Sequence, residues 1–191
     1  MDEKPLRTDN LIIKRYEKAN TLSDNSQRWW FALYTKPRSE FKAAEQIQTA
    51  GVQLYLPTVT RLKQWSDRRK KITEPVLKGY IFIFANEKER IISLEQYSVV
   101  KCISERGRPA KIPEWQIENL KKMLSTQSDV IVKEGLVPGV KIRIKEGPFE
   151  GTIGVLQEID NEKTLAVSID LLNRSVIAHL PKESIIEIIK G

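Results

Sequence analysis

The side chains best suited to chemistry in this sequence are basic, and they fall into two clusters. The first cluster contains Lys36, Arg38 and Lys42, and Gln46 lies one turn beyond Lys42 on a predicted helix. The N-terminal end of such a helix also presents free backbone N–H groups, which favour anions. We therefore expect this cluster to contact the phosphates of a nucleic acid, with Gln46 placed to read a base edge.

The second basic cluster is a run of four consecutive cations that follows Trp65. It consists of Arg68, Arg69, Lys70 and Lys71. Ser66 and Asp67 immediately before it are typical of a hairpin tip. A basic hairpin with an aromatic residue suits contact with a nucleic-acid backbone and stacking on bases, and a charged, solvated loop is the alternative. The net charge of +7 favours polyanionic partners without deciding between the two.

Catalytic and metal-binding arrangements are poorly supported. His179 is the single histidine, and it lies in an alternating strand without a nucleophile nearby, so a surface position is favoured. Asp160 and Glu162 lie in a turn and are expected to be solvated. Cys102 is the single cysteine and is expected to be a buried, unreactive thiol. The chain is therefore predicted to be no enzyme and to use no metal or cofactor.

The distribution of apolar residues argues against a membrane protein. The longest apolar runs, such as residues 80–84, are far shorter than the roughly 20 residues that span a bilayer. Residues 1–27 are polar and charged and lack the apolar stretch of a secretory signal. We expect a monomer in the cytoplasm without membrane association.

Helices and strands alternate over residues 29–125. An aromatic run at 29–34 is of strand type, and the helix after it is predicted to begin at Ser39 and to end at Gly51. The buried face of that helix is predicted to consist of Phe41, Ala44 and Ile47. Further elements are predicted at 52–56 (strand), 61–74 (hairpin), 77–84 (strand), 87–96 (helix), 99–104 (strand) and from Pro113 (helix). This order predicts an α+β domain of the ferredoxin-like class.

The remaining segments have a different character. Residues 1–28 are expected to form a mobile N-terminal extension, and residues 126–135 a linker. Residues 136–191 show strict alternation with regular turn signals, as in Val140, Ile142 and Ile144. Five short strands in so few residues predict a small all-β barrel.

A glycine-rich stretch in this second domain is its sharpest local feature. It contains Gly147, Pro148, Phe149, Gly151 and Gly154. The stretch lacks the Gly-Lys-Ser/Thr ending of a phosphate-binding loop, and a strand rather than a helix follows it. A tight turn of the barrel fits better, with glycines that permit positive φ and with Phe149 filling the end of the barrel.

The strand aromatics Tyr34, Tyr80 and Phe82 have two interpretations. Aromatic residues on strands are normally part of the core, and the residues alone favour that reading. The alternative is an exposed apolar groove that accepts a helix of a partner.

Taken in order, these stretches resemble the NusG family of transcription elongation factors. Residues 30–34 (Trp-Phe-Ala-Leu-Tyr) with Lys36 resemble the first strand of the N-terminal domain, and residues 55–57 and 74–83 resemble its later strands. Residues 137–154 resemble the KOW motif of the C-terminal domain. The resemblance implies a ferredoxin-like NusG domain followed by an SH3-like KOW barrel.

Within that family the chain is more similar to the specialised paralogues RfaH and UpxY than to housekeeping NusG. The hairpin at 64–68 and the short stretch at 80–98 carry this similarity. Such paralogues are antiterminators, often on long operons for surface polysaccharides. The His-Thr-Thr element of RfaH has no counterpart here, where residues 89–93 read Glu-Arg-Ile-Ile-Ser.

The resemblance also implies partners. Tyr34, Tyr80 and Phe82 would line a groove for the clamp helices of the largest subunit of RNA polymerase, which reverses the preference for core. Lys36, Lys42 and Gln46 would contact non-template DNA in the transcription bubble. The barrel would recruit a small-subunit ribosomal protein or Rho. A general housekeeping NusG-type factor and a ribosome-associated RNA-binding KOW protein are the alternatives, while a nucleic-acid enzyme lacks an acidic metal-binding cluster.

Overall fold

The computed structural model describes residues 27–64, 69–126, 129–159 and 161–189. Most of the predicted N-terminal extension, and the hairpin tip with Trp65 and Arg68, lie outside the described residues. Arg28, which was assigned to the extension, is anchored: its guanidinium forms two hydrogen bonds, of 2.8 and 3.0 Å, with the carboxylate of Glu89.

The first part of the chain forms an α+β unit, which we call the N-terminal domain. Its elements are β1 (Trp29–Thr35), α1 (Glu40–Thr49), β2 (Gln53–Tyr55), β3 (Thr58–Gln64), β4 (Arg69–Pro75), β5 (Tyr80–Ala85), α2 (Glu87–Leu94), β6 (Val99–Cys102), β7 (Ser104–Glu105), β8 (Arg108–Pro109), β9 (Lys111–Ile112) and α3 (Glu114–Thr126). The main sheet is antiparallel with the strand order β2-β5-β1-β6, which is the ferredoxin-like arrangement that the sequence predicted. The β3–β4 hairpin and the β7–β8 ribbon are separate two-stranded sheets.

The two faces of the main sheet are chemically different because neighbouring residues of a strand point to opposite sides. One face, which we call the α1 face, packs its largely aliphatic side chains against α1 and α2. The opposite face carries the aromatic side chains and packs against Ile117, Leu120 and Met123 of α3, and we call it the α3 face.

Helix α1 differs from the prediction in the residue that begins its buried stripe. The buried positions are Glu40, Ala43, Ala44 and Ile47, which is the spacing of one helix face, whereas Phe41 is 51% exposed. The reason is that the Glu40 carboxylate has a partner inside the domain. Ser39 occupies the N-cap position as predicted, but its hydroxyl donates to the carbonyl of Pro37 and caps no helix N–H.

The second part of the chain forms a six-stranded antiparallel sheet, which we call the C-terminal sheet. Its strands are β10 (Val130–Glu134), β11 (Val140–Glu146), β12 (Ile153–Ile159), β13 (Glu162–Ile169), β14 (Arg174–His179) and β15 (Ile185–Ile188), in the order β10-β14-β13-β12-β11-β15. The predicted linker at 126–135 is therefore wrong in most of its length. Alternation at Val130 and Val132 supports a strand there, and β10 pairs with β14 along its whole length.

The two parts of the chain pack together through α3. The buried cluster on the α3 face continues into the C-terminal sheet, where Ile142, Phe149 and Leu165 are fully buried. Helix α3 therefore packs against the main sheet of the N-terminal domain and also contacts the C-terminal sheet.

Candidate functional site

Aromatic side chains form pairs across the strands of the α3 face. Tyr34 contacts Tyr80 with ring centroids 5.5 Å apart, and Tyr55 stacks on Phe82 at 6.3 Å. Phe82 is fully buried, whereas Tyr34 and Tyr80 are half-buried. Of the three residues predicted to line a groove, the structure thus brings Tyr34 and Tyr80 together near the surface, while Phe82 lies in the core beneath them.

The position of the tyrosine pair depends on the tight turn that precedes β5. Gly79 has a φ of +81°, and a Cβ atom at this position would lie 3.0 Å from the ring of Tyr34. The Gly79 N–H donates to the buried carboxylate of Glu40 at 2.8 Å, and its carbonyl accepts from the N–H of Thr35. Glycine is required because a side chain would both strain the backbone and displace the Tyr34 ring.

Tyr80 also lines a cleft of about 500 Å³ between the two parts of the chain. Val76 and Leu77 form its wall on the N-terminal domain, and Val130 and Val132 of β10 form the opposite wall. At its rim the Arg61 guanidinium donates to the carbonyl of Val130 at 2.7 Å. The cleft is therefore lined by apolar side chains together with charged ones such as Glu74 and Arg174, and the C-terminal sheet supplies one of its sides.

The first basic cluster surrounds an exposed aromatic ring that the sequence interpretation did not include. The ammonium of Lys36 lies 3.3 Å from the centroid of the Tyr97 ring, and that of Lys42 lies 5.6 Å from it. Arg38 is exposed on the same loop and has a φ of +56°. No ion pair joins these three cations to a carboxylate among the described residues. They therefore remain available to an anion.

Gln46 has a supporting role in this arrangement. Its side-chain oxygen accepts the backbone N–H of Ser98 at 3.0 Å, which fixes the loop that carries Tyr97. One lone pair of this oxygen is thus used, and its second lone pair and the NH₂ group are left for the predicted contact with a base edge.

The second basic cluster lies on the outer part of the β3–β4 hairpin. Arg69, Lys70 and Lys71 are exposed, and the guanidinium of Arg69 donates to the side chain of Gln64 at 3.2 Å. Arg68 lies outside the described residues. The structure thus presents these three cations to solvent on one projecting element.

Helix α3 holds the C-terminal sheet through two side-chain amides. The Asn119 amide donates to the carbonyl of Ile153 at 2.8 Å and accepts the N–H of the same residue at 3.1 Å. Gln116 contacts Asp170 in the same two-sided manner, through its carboxylate and its N–H. Both amides are buried, so every polar atom in these contacts has a partner.

The glycine-rich stretch lies at this contact. Phe149 is buried in the core of the C-terminal sheet, and the carbonyl of Pro148 accepts the Thr126 hydroxyl at the end of α3. Gly147 and Gly151 have positive φ, as expected for a turn. Gly154 has another reason: a Cβ there would lie 2.5 Å from the carbonyl oxygen of Ala166 on the neighbouring strand.

The remaining candidates for chemistry are accounted for locally. Cys102 is buried in the α1-face cluster, and burial raises the pKa of its thiol, an effect that Arg90 nearby partly opposes. His179 is exposed and its ring lies 2.9 Å from the Glu162 carboxylate, so Glu162 is paired rather than fully solvated. Among the described residues no group of three or more His, Cys, Asp or Glu side chains could hold a metal ion. No described helix is long and apolar enough to cross a membrane.

Comparison with known proteins identifies the N-terminal domain. Residues 28–121 match the family model described as "Transcription termination factor nusG". This domain is similar to the NusG family. A "Transcription termination/antitermination protein NusG" of Vibrio vulnificus is 22% identical over 178 residues, covering 83% of the present chain and 95% of its own. The Haemophilus influenzae protein of the same name is 22% identical over 174 residues, covering 81% and 91%.

A solved structure described as "Domain interaction in Thermotoga maritima NusG" is also similar. It is 21% identical with a TM-score of 0.43, and the match covers 81% of the present chain and 93% of that one. The NusG family consists of transcription factors, which is consistent with the expectation that the chain is not an enzyme.

Three features of the site could not be found by sequence motifs. Tyr97 stands alone between two elements, and its lysines come from a distant segment. Polar residues of a helix are normally exposed to solvent, so the burial of Glu40 and Asn119 is not expected from the sequence. Only their tertiary contacts reveal their roles.

Proposed function

We propose that this chain is a transcription elongation factor that binds RNA polymerase through its NusG-family domain and promotes processive elongation and antitermination in the cytoplasm. The observation that carries the proposal is the half-buried Tyr34–Tyr80 pair, of which Tyr80 lines the cleft. A surface with aromatic side chains and a charged rim accepts an amphipathic helix. Its occupant in the proposal is the clamp-helix pair of the polymerase largest subunit.

The factor acts by binding and carries out no chemical step. A protein that docks on the closed form of the polymerase clamp more tightly than on the paused form shifts the population toward elongation. A preference of a few kcal/mol is enough for a large shift, since each 1.4 kcal/mol changes the ratio about tenfold. The tyrosine pair supports this role because aromatic side chains commonly dominate the energy of an interface.

Nucleic acid is the second partner in the proposal. The cluster of Lys36, Arg38 and Lys42 contacts non-template DNA in the transcription bubble, and Gln46 supports it. Arg69, Lys70 and Lys71 on the projecting hairpin add a sequence-independent contact with phosphates. A factor with two basic surfaces beside a polymerase-binding groove suits an operon-specific antiterminator of the RfaH and UpxY kind, acting on loci such as those for surface polysaccharides.

The C-terminal sheet is the third functional part. We infer that it is an SH3-like KOW barrel that recruits a small-subunit ribosomal protein or Rho. The buried apolar cluster that its strands share and the glycine-rich turn around Phe149 support this assignment. Exposed apolar side chains on its outer strands, including Ile131 and Ile188, offer it a surface for such a partner.

The test is co-purification of RNA polymerase with the full chain after nuclease treatment. Replacing Tyr34 and Tyr80 together by Ala is expected to reduce the recovered polymerase at least tenfold, since aromatic anchors cost about 2 kcal/mol or more when truncated. Phe82 is left intact because its burial would make a substitution a test of folding. Leu136→Ala, at an exposed apolar residue between β10 and β11, is the control and should leave the recovery of polymerase unchanged.

Equal recovery of polymerase by the folded double variant would contradict the proposed groove. Recovery of ribosomes instead of polymerase, lost upon nuclease treatment, would indicate a ribosome-associated protein held by RNA.

A further inference from the structure

Tyr97 is the most exposed aromatic residue of the described chain, and its backbone is nevertheless held firmly. Its side chain lies in the loop between α2 and β6, and 71% of the residue is accessible. The next residue, Ser98, is buried and forms two backbone hydrogen bonds, from its N–H to Gln46 and from the N–H of Lys36 to its carbonyl. The ring is thus exposed to solvent on a loop whose backbone is held in place, so the backbone has little conformational entropy left to lose on binding.

The charges around this ring come from two other elements. Lys36 lies on the β1–α1 loop and Lys42 lies within α1, yet both ammonium groups approach the same aromatic ring. A cation over a tyrosine at an exposed site contributes only about 0.5–1 kcal/mol, so the pairing alone gives modest stability. The arrangement also places two positive charges beside one exposed aromatic ring.

Other exposed aromatics lack this combination. Trp115 is 47% exposed and has one lysine, Lys141, at 5.7 Å. Phe41 is 51% exposed and has no cation over its ring among the described contacts. Tyr97 alone combines high exposure, a fixed loop and two cations in the part of the chain that the structure describes.

We propose that Tyr97 is a stacking platform for one unpaired base of a single-stranded nucleic acid, which stacks on the ring face opposite the Lys36 ammonium while Lys36 and Lys42 bind neighbouring phosphates. A base has a flat face that stacks on a tyrosine ring irrespective of its identity, and this contact is worth about 1–3 kcal/mol per base. In a duplex the faces of the bases are already stacked, so the site selects single strands. The inference rests on the proposed function, in which this face contacts the unpaired strand of the bubble.

The experiment measures binding of the full chain to a short fluorescent single-stranded DNA, to the same strand with abasic positions, and to the duplex. Tyr97→Leu is expected to weaken binding to the single strand roughly five- to 150-fold, which is the range given by one lost stack. Its effect on the abasic strand should be negligible, because that strand has the phosphates and no base. Tyr97→Trp should restore binding, and Trp115→Leu is the matched control on another exposed aromatic.

The salt dependence separates this inference from the proposal on which it rests. Tyr97→Leu should leave the slope of log affinity against log salt concentration unchanged, whereas replacing Lys36 and Lys42 by Ala should reduce it by about 0.7 for each lysine. An unchanged slope and affinity in the double lysine variant would overturn the nucleic-acid role of this face altogether. A reduced slope in that variant, together with unaltered single-strand binding by Tyr97→Leu, would overturn the stacking platform alone.

Discussion

The two faces of the N-terminal sheet are both buried, yet they are buried in different ways. The α1 face is closed by α1 and α2 of the same domain, and its cluster contains only residues of that domain. The α3 face is rich in aromatic side chains, and its cluster continues through α3 into the C-terminal sheet. One face thus belongs to a single domain, while the other takes part in a contact between two parts of the chain.

The chemistry of the two contacts differs accordingly. Leu33, Ile47 and Ile81 on the α1 face are fully buried aliphatic side chains, which lose their whole burial energy if the helices detach. The contact of α3 with the C-terminal sheet combines apolar packing with the hydrogen bonds of the Gln116 and Asn119 amides. Amides exchange protein partners for water at a net cost of only about 0.5–1.5 kcal/mol per hydrogen bond. We therefore expect the α1 face to stay closed in every folded state and the second contact to open more readily.

The largest effect is expected on the α1 face. Ile47→Ala should lower the free energy of unfolding by about 2–5 kcal/mol, because it leaves a cavity between α1 and the sheet. Denaturant unfolding followed by circular dichroism measures the change. Phe41→Ala on the same helix removes an exposed side chain and should remain within about 0.5 kcal/mol of the unaltered protein. Equal losses in the two variants would mean that α1 packs on the sheet in another orientation.

The next effect concerns the contact between α3 and the C-terminal sheet. Replacing Asn119 and Gln116 together by Ala removes the side-chain partners of the N–H groups of Ile153, which is half-buried, and Asp170, which is exposed, at about 0.5–1.5 kcal/mol per hydrogen bond. The expected result is separation of the two parts with both still folded. Faster amide exchange at Ile153 and Asp170 and a larger radius of gyration in X-ray scattering would report it.

The control for that variant is Glu114→Ala, an exposed position on the same helix that should leave exchange and dimensions unchanged. Unchanged exchange at Ile153 in the double amide variant would show that apolar packing alone holds the two parts together.

The sequence predicted the elements of the N-terminal domain well because local rules decide them. Gly51 ends α1, the aromatic run at 29–34 forms the central strand, and the helix after Pro113 buries Ile117 and Leu120. Glycine conformation, strand alternation and helical spacing act within a few residues, so they are readable without a structure.

The errors and omissions have long-range causes. The sequence predicts a linker at residues 130–134, since their alternation is short and their partner strand β14 lies about 45 residues away along the chain. The buried stripe of α1 begins at Glu40 and not at the predicted Phe41, because Glu40 has its partner in the distant turn at Gly79. Tyr97 was missed because Lys36 and Lys42 meet its ring only after folding. Functional clusters assembled from separate segments leave no spacing pattern in the sequence.

The smallest expected effect concerns Cys102, the single cysteine of the chain, whose reactivity reports whether the α1 face opens. Cys102 lies in the α1-face cluster, and burial raises the pKa of its thiol, so the folded protein holds this proton more tightly than the unfolded chain does. Stability should therefore fall slightly as the pH rises above the ordinary thiol range, and native alkylation by iodoacetamide should be slow at neutral pH. Mass spectrometry of the alkylated protein measures the rate.

Ile47→Ala should accelerate alkylation of Cys102 markedly, whereas the double amide variant should react at the rate of the unaltered protein. Acceleration in the amide variant would mean that opening the α3 contact also opens the α1 face, and the two faces would then be one cooperative unit.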